Sequence, residues 1–397
     1  MVHEYTLIKR LLLSRPLQNL LAVIVMALSI AAAVNVLLLA NGLHGAMVQA
    51  SRPFPMLMGA KGSPNQLVLN TVFLKDQPIG NFSYDKVLEL RNSPYVAQVL
   101  PLGYGDNYRG YRLVGTEKEL LQLRGIEKNS APWLTLERGR SFENNYEAVI
   151  GAEVAAKTGL KLGDSFASVH GVVHNVGAKS HDQQRFTVVG ILKPAHGPYD
   201  GSILVPLASI WSMHGHADKV HEEVTAVIVV PKGYAQSMAL ANSYSKSSDV
   251  QLIFPSKIVV ELFSIMGDME KLLNSFSMII MVLALLIVGS SLYWFITSSR
   301  RDQAIMRALG AGRGDIMQLY FKLGLTLVGV GCLTGIALGH GLFAGLSALL
   351  QQHTGLYLTA GVPQEELQLI LSVLVCGTVC SIVPAYLLLR SDVAQHL

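Results

Sequence analysis

Residues 17–40 read LQNLLAVIVMALSIAAAVNVLLLA, a run without a single Lys, Arg, Asp or Glu. A helix needs about 20 apolar residues to cross the hydrocarbon core of a bilayer, because each residue adds only about 1.5 Å. The run is long enough to span. It is too long for the roughly 7–15-residue apolar centre of a cleaved signal peptide, and no convincing small-residue cleavage site ends it, so it reads as a retained helix. Three further uncharged runs lie at 276–297, 323–343 and 367–389. The composition agrees: 51% hydrophobic, 15% charged and a mean hydropathy of +0.40 are too apolar for an ordinary soluble chain.

Orientation follows from basic residues, which are retained on the cytoplasmic side of membrane helices. Lys9, Arg10 and Arg15 precede the first run, while Arg300, Arg301, Arg307 and Arg313 follow the second. Lys322 opens the third and Arg390 closes the fourth, whereas 351–366 has no Lys or Arg and carries Glu365 and Glu366. The termini 1–16 and 390–397 and the segment 298–322 are therefore expected inside, with 41–275 and 344–366 outside. The net charge of +4 is explained by these flanks, and no nucleic-acid partner is expected.

The long segment is mixed α/β in pattern. Strands are expected at 66–73, 187–192, 203–206 and 224–230, which are rich in Val, Ile, Leu and Thr and bounded by Gly or Pro. Helices are expected at 84–91, 117–122, 153–158 and 233–243, with Gly159 as a C-cap. Segments 42–51 and 257–271 read as helical extensions of the first two runs, forming stalks. The expected fold class is an α-helical membrane protein with four transmembrane helices and a large mixed α/β extracytoplasmic domain between helices 1 and 2.

The sequence contains no G-x-x-x-x-G-K-[ST] phosphate loop, H-E-x-x-H helix or G-x-S-x-G elbow, and no charge inside any apolar run that would relay protons. No catalytic residue is assigned. His340, near the outer end of the third run, reads as a packed interfacial histidine. Cys332, Cys376 and Cys380 all lie in apolar runs, so the long segment has neither disulfides nor a Cys-based metal site.

The loop RRDQAIMRALGA, 300–311, continues the second run and stops at Gly310 and Gly312. One reading is an amphipathic helix on lipid headgroups. The other is a helix docked in a partner, with Ile305, Met306 and Leu309 as apolar anchors and arginines as rim.

The stretch AIMRALGAGRGDI, 304–316, resembles the coupling segment of the MacB/FtsX-type, or type VII, ABC permeases. RGRSFENNYEAVIGAEVAAKTGLKLGDSF at 138–166, FTVVGILKPAHGPYDGSILVPL at 186–207, and Pro384-Ala385 ahead of Arg390 fit the same family. The resemblance implies a homodimer in a bacterial inner membrane, bound to a separate ABC ATPase that holds ATP and Mg. It also implies that closure of this ATPase moves stalks and outer domains, with Arg301, Ile305, Met306, Arg307, Leu309 and Gly310 as the coupling residues. Periplasmic adaptors or substrate-binding proteins are expected partners besides membrane lipid. The family's cargoes include lipoproteins, peptides, antibiotics and haem; division-associated relatives instead act as scaffolds or sensors regulating an envelope hydrolase. The larger relatives' duplicated domains are not expected here.

Two local features of the outer segment remain. His170, His174, His181, His196, His214, His216 and His221 lie close together in sequence, with Asp182, Asp200 and Asp218 among them. They form either a His/carboxylate site for a transition metal or haem, or a solvated loop. Gly59, Lys61 and Gly62 suit either an anion-binding nest or a tight turn; the stretch GAKGSPNQLVLNTVF, 59–73, also resembles a single-domain branch of the family with a His-containing loop.

Overall fold

The computed structural model describes residues 4–124, 131–171, 180–213, 222–298, 300–359 and 361–390. The chain divides into two compact units: a helical unit of Met1–Gly42, Met266–Ala348 and Thr359–Leu397, and an α/β unit of Leu43–Ile265 and Leu349–Leu358.

Along the chain, α1 (Glu4–Ser14) is followed by α2 (Pro16–Ser51), which Pro16 opens where its missing N–H costs nothing. Then come β1 (Met56–Ala60), α3 (Pro64–Thr71), β2 (Phe82–Ser83), α4 (Asp85–Arg91), β3 (Val96–Tyr108), β4 (Tyr111–Thr116), β5 (Leu136–Gly139), β6 (Glu147–Ile150), α5 (Ala152–Thr158) and β7 (Ser165–His170). The α/β unit continues with β8 (Ser180–Leu192), β9 (Ser202–Pro206), α6 (Leu207–Met213), β10 (Glu223–Val224), β11 (Ala226–Pro231), α7 (Tyr234–Tyr244) and β12 (Val250–Ile253). Among the described residues the last four helices are α8 (Pro255–Ser298), α9 (Arg300–Ala308), α10 (Arg313–Thr354) and α11 (Gln364–Arg390).

The main sheet has the order β12-β1-β11-β3-β4-β9-β6-β8-β5, with β7 pairing to both β3 and β8. Most neighbours are antiparallel; β4–β9 and β6–β8 are parallel. Fully buried Leu57, Leu100, Leu102, Val114, Leu204 and Ile228 face one cluster, which Phe54, Trp133 and Tyr199 close with edge-on ring contacts of 5.1 and 4.6 Å. Met56, Met58, Val227 and Val229 belong to a second cluster. The alternation along β1 and β11 is the period-2 placement that a sheet buried on both faces requires. Leu356, only 8% exposed, joins the first cluster, so the connection after α10 is built into the α/β unit.

Sequence expectation and structure part at 66–73, read as a strand. Residues 66–71 lie in α3, because Ser63 caps the helix by accepting from Gln66 N and Pro64 occupies its first turn. Leu67, Val68 and Thr71 are then buried at i, i+1 and i+4, a helical spacing. The expected Gly159 cap is present, with φ +75° and its N–H donating to Ala155 O.

In the helical unit, Gly331, Gly335 and Gly339 of α10 pack against Met26, Ile30 and Val34 of α2. A Cβ on Gly335 would sit 2.7 Å from Ile30 Cβ and 2.9 Å from Ala27 O, so only glycine permits this approach. Small residues at four-residue spacing are how helices meet where lipid removes the hydrophobic drive. Among the described residues three helices are long and apolar enough to cross a membrane, spanning Pro16–Ser51, Arg313–Gln352 and Gln364–Ile382; α8 carries a shorter apolar stretch, Met278–Ile287.

Candidate functional site

α9 is a short amphipathic helix. Its inner face is fixed by Gln303, which is 2% exposed and donates from Nε2 to Tyr320 Oη of α10 at 3.3 Å. On the other face Ile305 is 51% and Leu309 83% exposed, one helical turn apart. Met306 is half-buried and Arg307 exposed, and the structure describes the backbone of Arg301 only. The apolar anchors expected at 305, 306 and 309 are thus divided: the first and last form an uncovered patch, and the middle one turns partly inward. The helix ends where Gly310 takes φ +98°, a left-handed conformation that costs a glycine nothing. Gly312 N–H then donates to Asp315 Oδ2 at 2.9 Å, capping α10.

The seven histidines divide as well. His174, His214, His216 and His221 lie outside the described residues, as does the side chain of His181. His170 ends β7 with its Nδ1 3.5 Å from Oδ1 of buried Asp106, while its ring remains largely exposed. A buried carboxylate behind one ring nitrogen orients an imidazole so that the other faces outward, the arrangement found behind metal-bound histidines. His196 instead packs edge-on against Tyr357 at 4.8 Å between centroids. Among the described residues no three metal-ligating side chains converge.

Of the two readings of Gly59, Lys61 and Gly62, the anion-binding nest does not form. Gly59 is a β1 residue paired to both Ala226 and Gln251, and Lys61 N–H donates to Asp249 O. Neither glycine adopts positive φ. Both pack closely instead: an added Cβ would lie 2.5 Å from Leu67 Cδ1 at Gly59 and 2.7 Å from Ile79 Cγ2 at Gly62, so those side chains would have to shift.

His340, read as a packed histidine, donates to or accepts from Glu366 Oε1 at 2.8 Å. The glutamate partner was missed because Glu366 reads as a loop acid; Pro363, whose carbonyl accepts from Glu366 N–H, is the local signal that a helix begins there.

The profile of the MacB-like periplasmic core domain matches residues 19–243, and that of the FtsX-like permease C-terminal domain matches residues 274–393. Among solved structures, the periplasmic region of MacB from Actinobacillus actinomycetemcomitans is 12% identical, with 53% of this chain and 94% of that one covered and a TM-score of 0.36. The extracellular domain of the noncanonic ABC-type transporter YknZ from Gram-positive bacteria is 16% identical, with 50% of this chain and 98% of that one covered and a TM-score of 0.31. No curated protein matches this chain.

Proposed function

Because the chain belongs to the MacB/FtsX-type ABC transporter permeases, we propose that it couples ATP hydrolysis by a separate ATPase to movement of its α/β unit, for export or extraction of a substrate. In this reading α2, α8, α10 and α11 all cross the inner membrane, both termini and α9 are cytoplasmic, the α/β unit is extracytoplasmic, and the permease works as a homodimer. The observation that carries the reading is the exposed Ile305–Leu309 patch, held on a helix whose opposite face Gln303 fixes to Tyr320. A helix presenting apolar anchors within an arginine rim suits insertion into a partner groove.

The test is co-purification of the ATPase with an Ile305→Asp/Leu309→Asp variant. Loss of ATPase association, with the permease still folded and monodisperse in detergent, is expected; undiminished association overturns the docking role. Substrate-stimulated ATP hydrolysis in the reconstituted complex supports transport. Hydrolysis that controls a bound envelope hydrolase supports the scaffold reading instead.

A transition-metal-linked variant rests on His170 and Asp106. It requires saturable binding of Zn or Cu(II) to the full chain at neutral pH, lost in His170→Ala/His174→Ala/His181→Ala. Binding that ignores those substitutions assigns the histidines to solvent.

A further inference from the structure

We propose that a cleft in the α/β unit, walled by Lys75, Arg109 and Arg112, binds a phosphate group. The cleft is about 240 Å³ and also borders Glu153, Gln352 and Gly355. Three cations against one carboxylate leave a surplus of two positive charges, which complements a phosphate dianion better than a carboxylate.

Arg112 is the strongest element. It is 5% exposed, yet no carboxylate lies within ion-pair distance of it among the described residues. Its Nη1 and Nη2 donate to the carbonyls of Asn70 at 3.3 Å and Asp76 at 2.7 Å, and its Nε is buried without a partner. Tyr104 offers its ring face at 5.6 Å. The hydrogen bonds of this guanidinium go to neutral carbonyls, and the Asp76 carboxylate acts on it only through space, so a positive field remains for the low-dielectric wall to project into the cleft. Desolvation is the main cause that lowers the Arg112 pKa, with Asp76 among the groups that act against it.

Arg109 supplies the second argument. It occupies the two-residue turn between β3 and β4 with φ +50°, followed by Gly110 at +85°. Such a turn favours Asn, Asp or Gly at both positions, because a side chain with a Cβ is strained there. Arginine at this place is unfavourable for the hairpin backbone; its guanidinium lies over the Tyr108 ring at 5.4 Å and borders the cleft. Leu74, also on the cleft wall, shares the strain at φ +52°, and strained non-glycine residues gather at ligand sites. Desolvation first and the Asp200 charge second raise the Glu153 pKa, while Lys157 and Lys75 act against them.

The bound phosphate is either free or the headgroup of an anionic lipid, and the test separates the two. Full-length permease in a non-ionic detergent is titrated calorimetrically, at fixed ionic strength, with inorganic phosphate, glycerol 3-phosphate and short-chain phosphatidic acid. Saturable binding is expected, at least ten-fold weaker in Arg109→Asn. Because asparagine fits positive φ, that variant should keep or raise the thermal midpoint, which separates lost binding from lost folding. Tighter binding of phosphatidic acid than of glycerol 3-phosphate assigns the site to a headgroup; equal or weaker binding assigns it to a free phosphate. The proposal is overturned if no probe binds saturably, if acetate binds as well as phosphate, or if Arg109→Asn binds unchanged. Any of those results would leave the cations neutralising the carbonyl end of α10, which closes the cleft at Thr354.

Discussion

Glu366 is 2% exposed at the start of α11 and holds His340 of α10 through a 2.8 Å contact between Oε1 and Nε2, while its Oε2 has no partner among the described residues. This clamp joins two helices that the sequence separates by a loop. Removing one member should cost more than removing both, because a lone buried carboxylate loses its compensation, at about 1–3 kcal/mol. The expected order of thermal midpoints in detergent is wild type, then His340→Ala/Glu366→Leu, then His340→Ala. A single variant as stable as wild type contradicts the clamp.

Gly335→Ala should destabilise the helical unit by about 1–3 kcal/mol, the usual range for overpacking a close contact, because its methyl group meets Ile30 and the Ala27 carbonyl. Gly341→Ala is the control, since nothing lies within 4 Å of a Cβ there. Equal thermal midpoints for the two variants would mean that α2 and α10 do not pack in this register.

Glu147 titrates unusually low. The Arg140 guanidinium is the first cause, through bonds of 2.6 and 2.8 Å, and the N–H groups of Glu143 and Asn144 add to it. A depressed carboxyl pKa stabilises the fold above the unfolded value of about 4.3, and the stabilisation fades as pH falls below it. The gap in thermal midpoint between wild type and Glu147→Gln should therefore be full at pH 7 and shrink steadily below about pH 4.3. A gap independent of pH would remove the charge from the explanation.

Topology is open to direct labelling after Cys332, Cys376 and Cys380 are replaced by alanine. A cysteine at Ser245 should react with an impermeant thiol reagent in intact cells, and one at Ser298 should react only after permeabilisation, as the Lys and Arg asymmetry demands. The opposite pattern would reverse the proposed orientation.

Much of the fold was legible in short patterns. The uncharged run at 17–40 lies within α2, and the Gly159 stop and the Gly310 break are local consequences of chain chemistry. At 66–73 the apolar composition misled, because Ser63 and Pro64 decide the helix from outside that window. The apolar residues after α8 were legible as a set, but their division between two faces was not. Whether Met306 or Leu309 faces outward depends on Gln303 reaching Tyr320 across a turn.

By itself the sequence determined the apolar segments, the charge asymmetry and the family, since each depends on residue type at near-neighbour spacing. Only the tertiary structure decided that Gly59 serves sheet packing rather than an anion nest, that Glu366 partners His340, and that Arg112 is buried beside Lys75 and Arg109. Those facts rest on contacts between residues far apart in the chain. A carboxylate or guanidinium acquires its cost and its use from burial and from what lies within a few ångströms, and no local pattern records either.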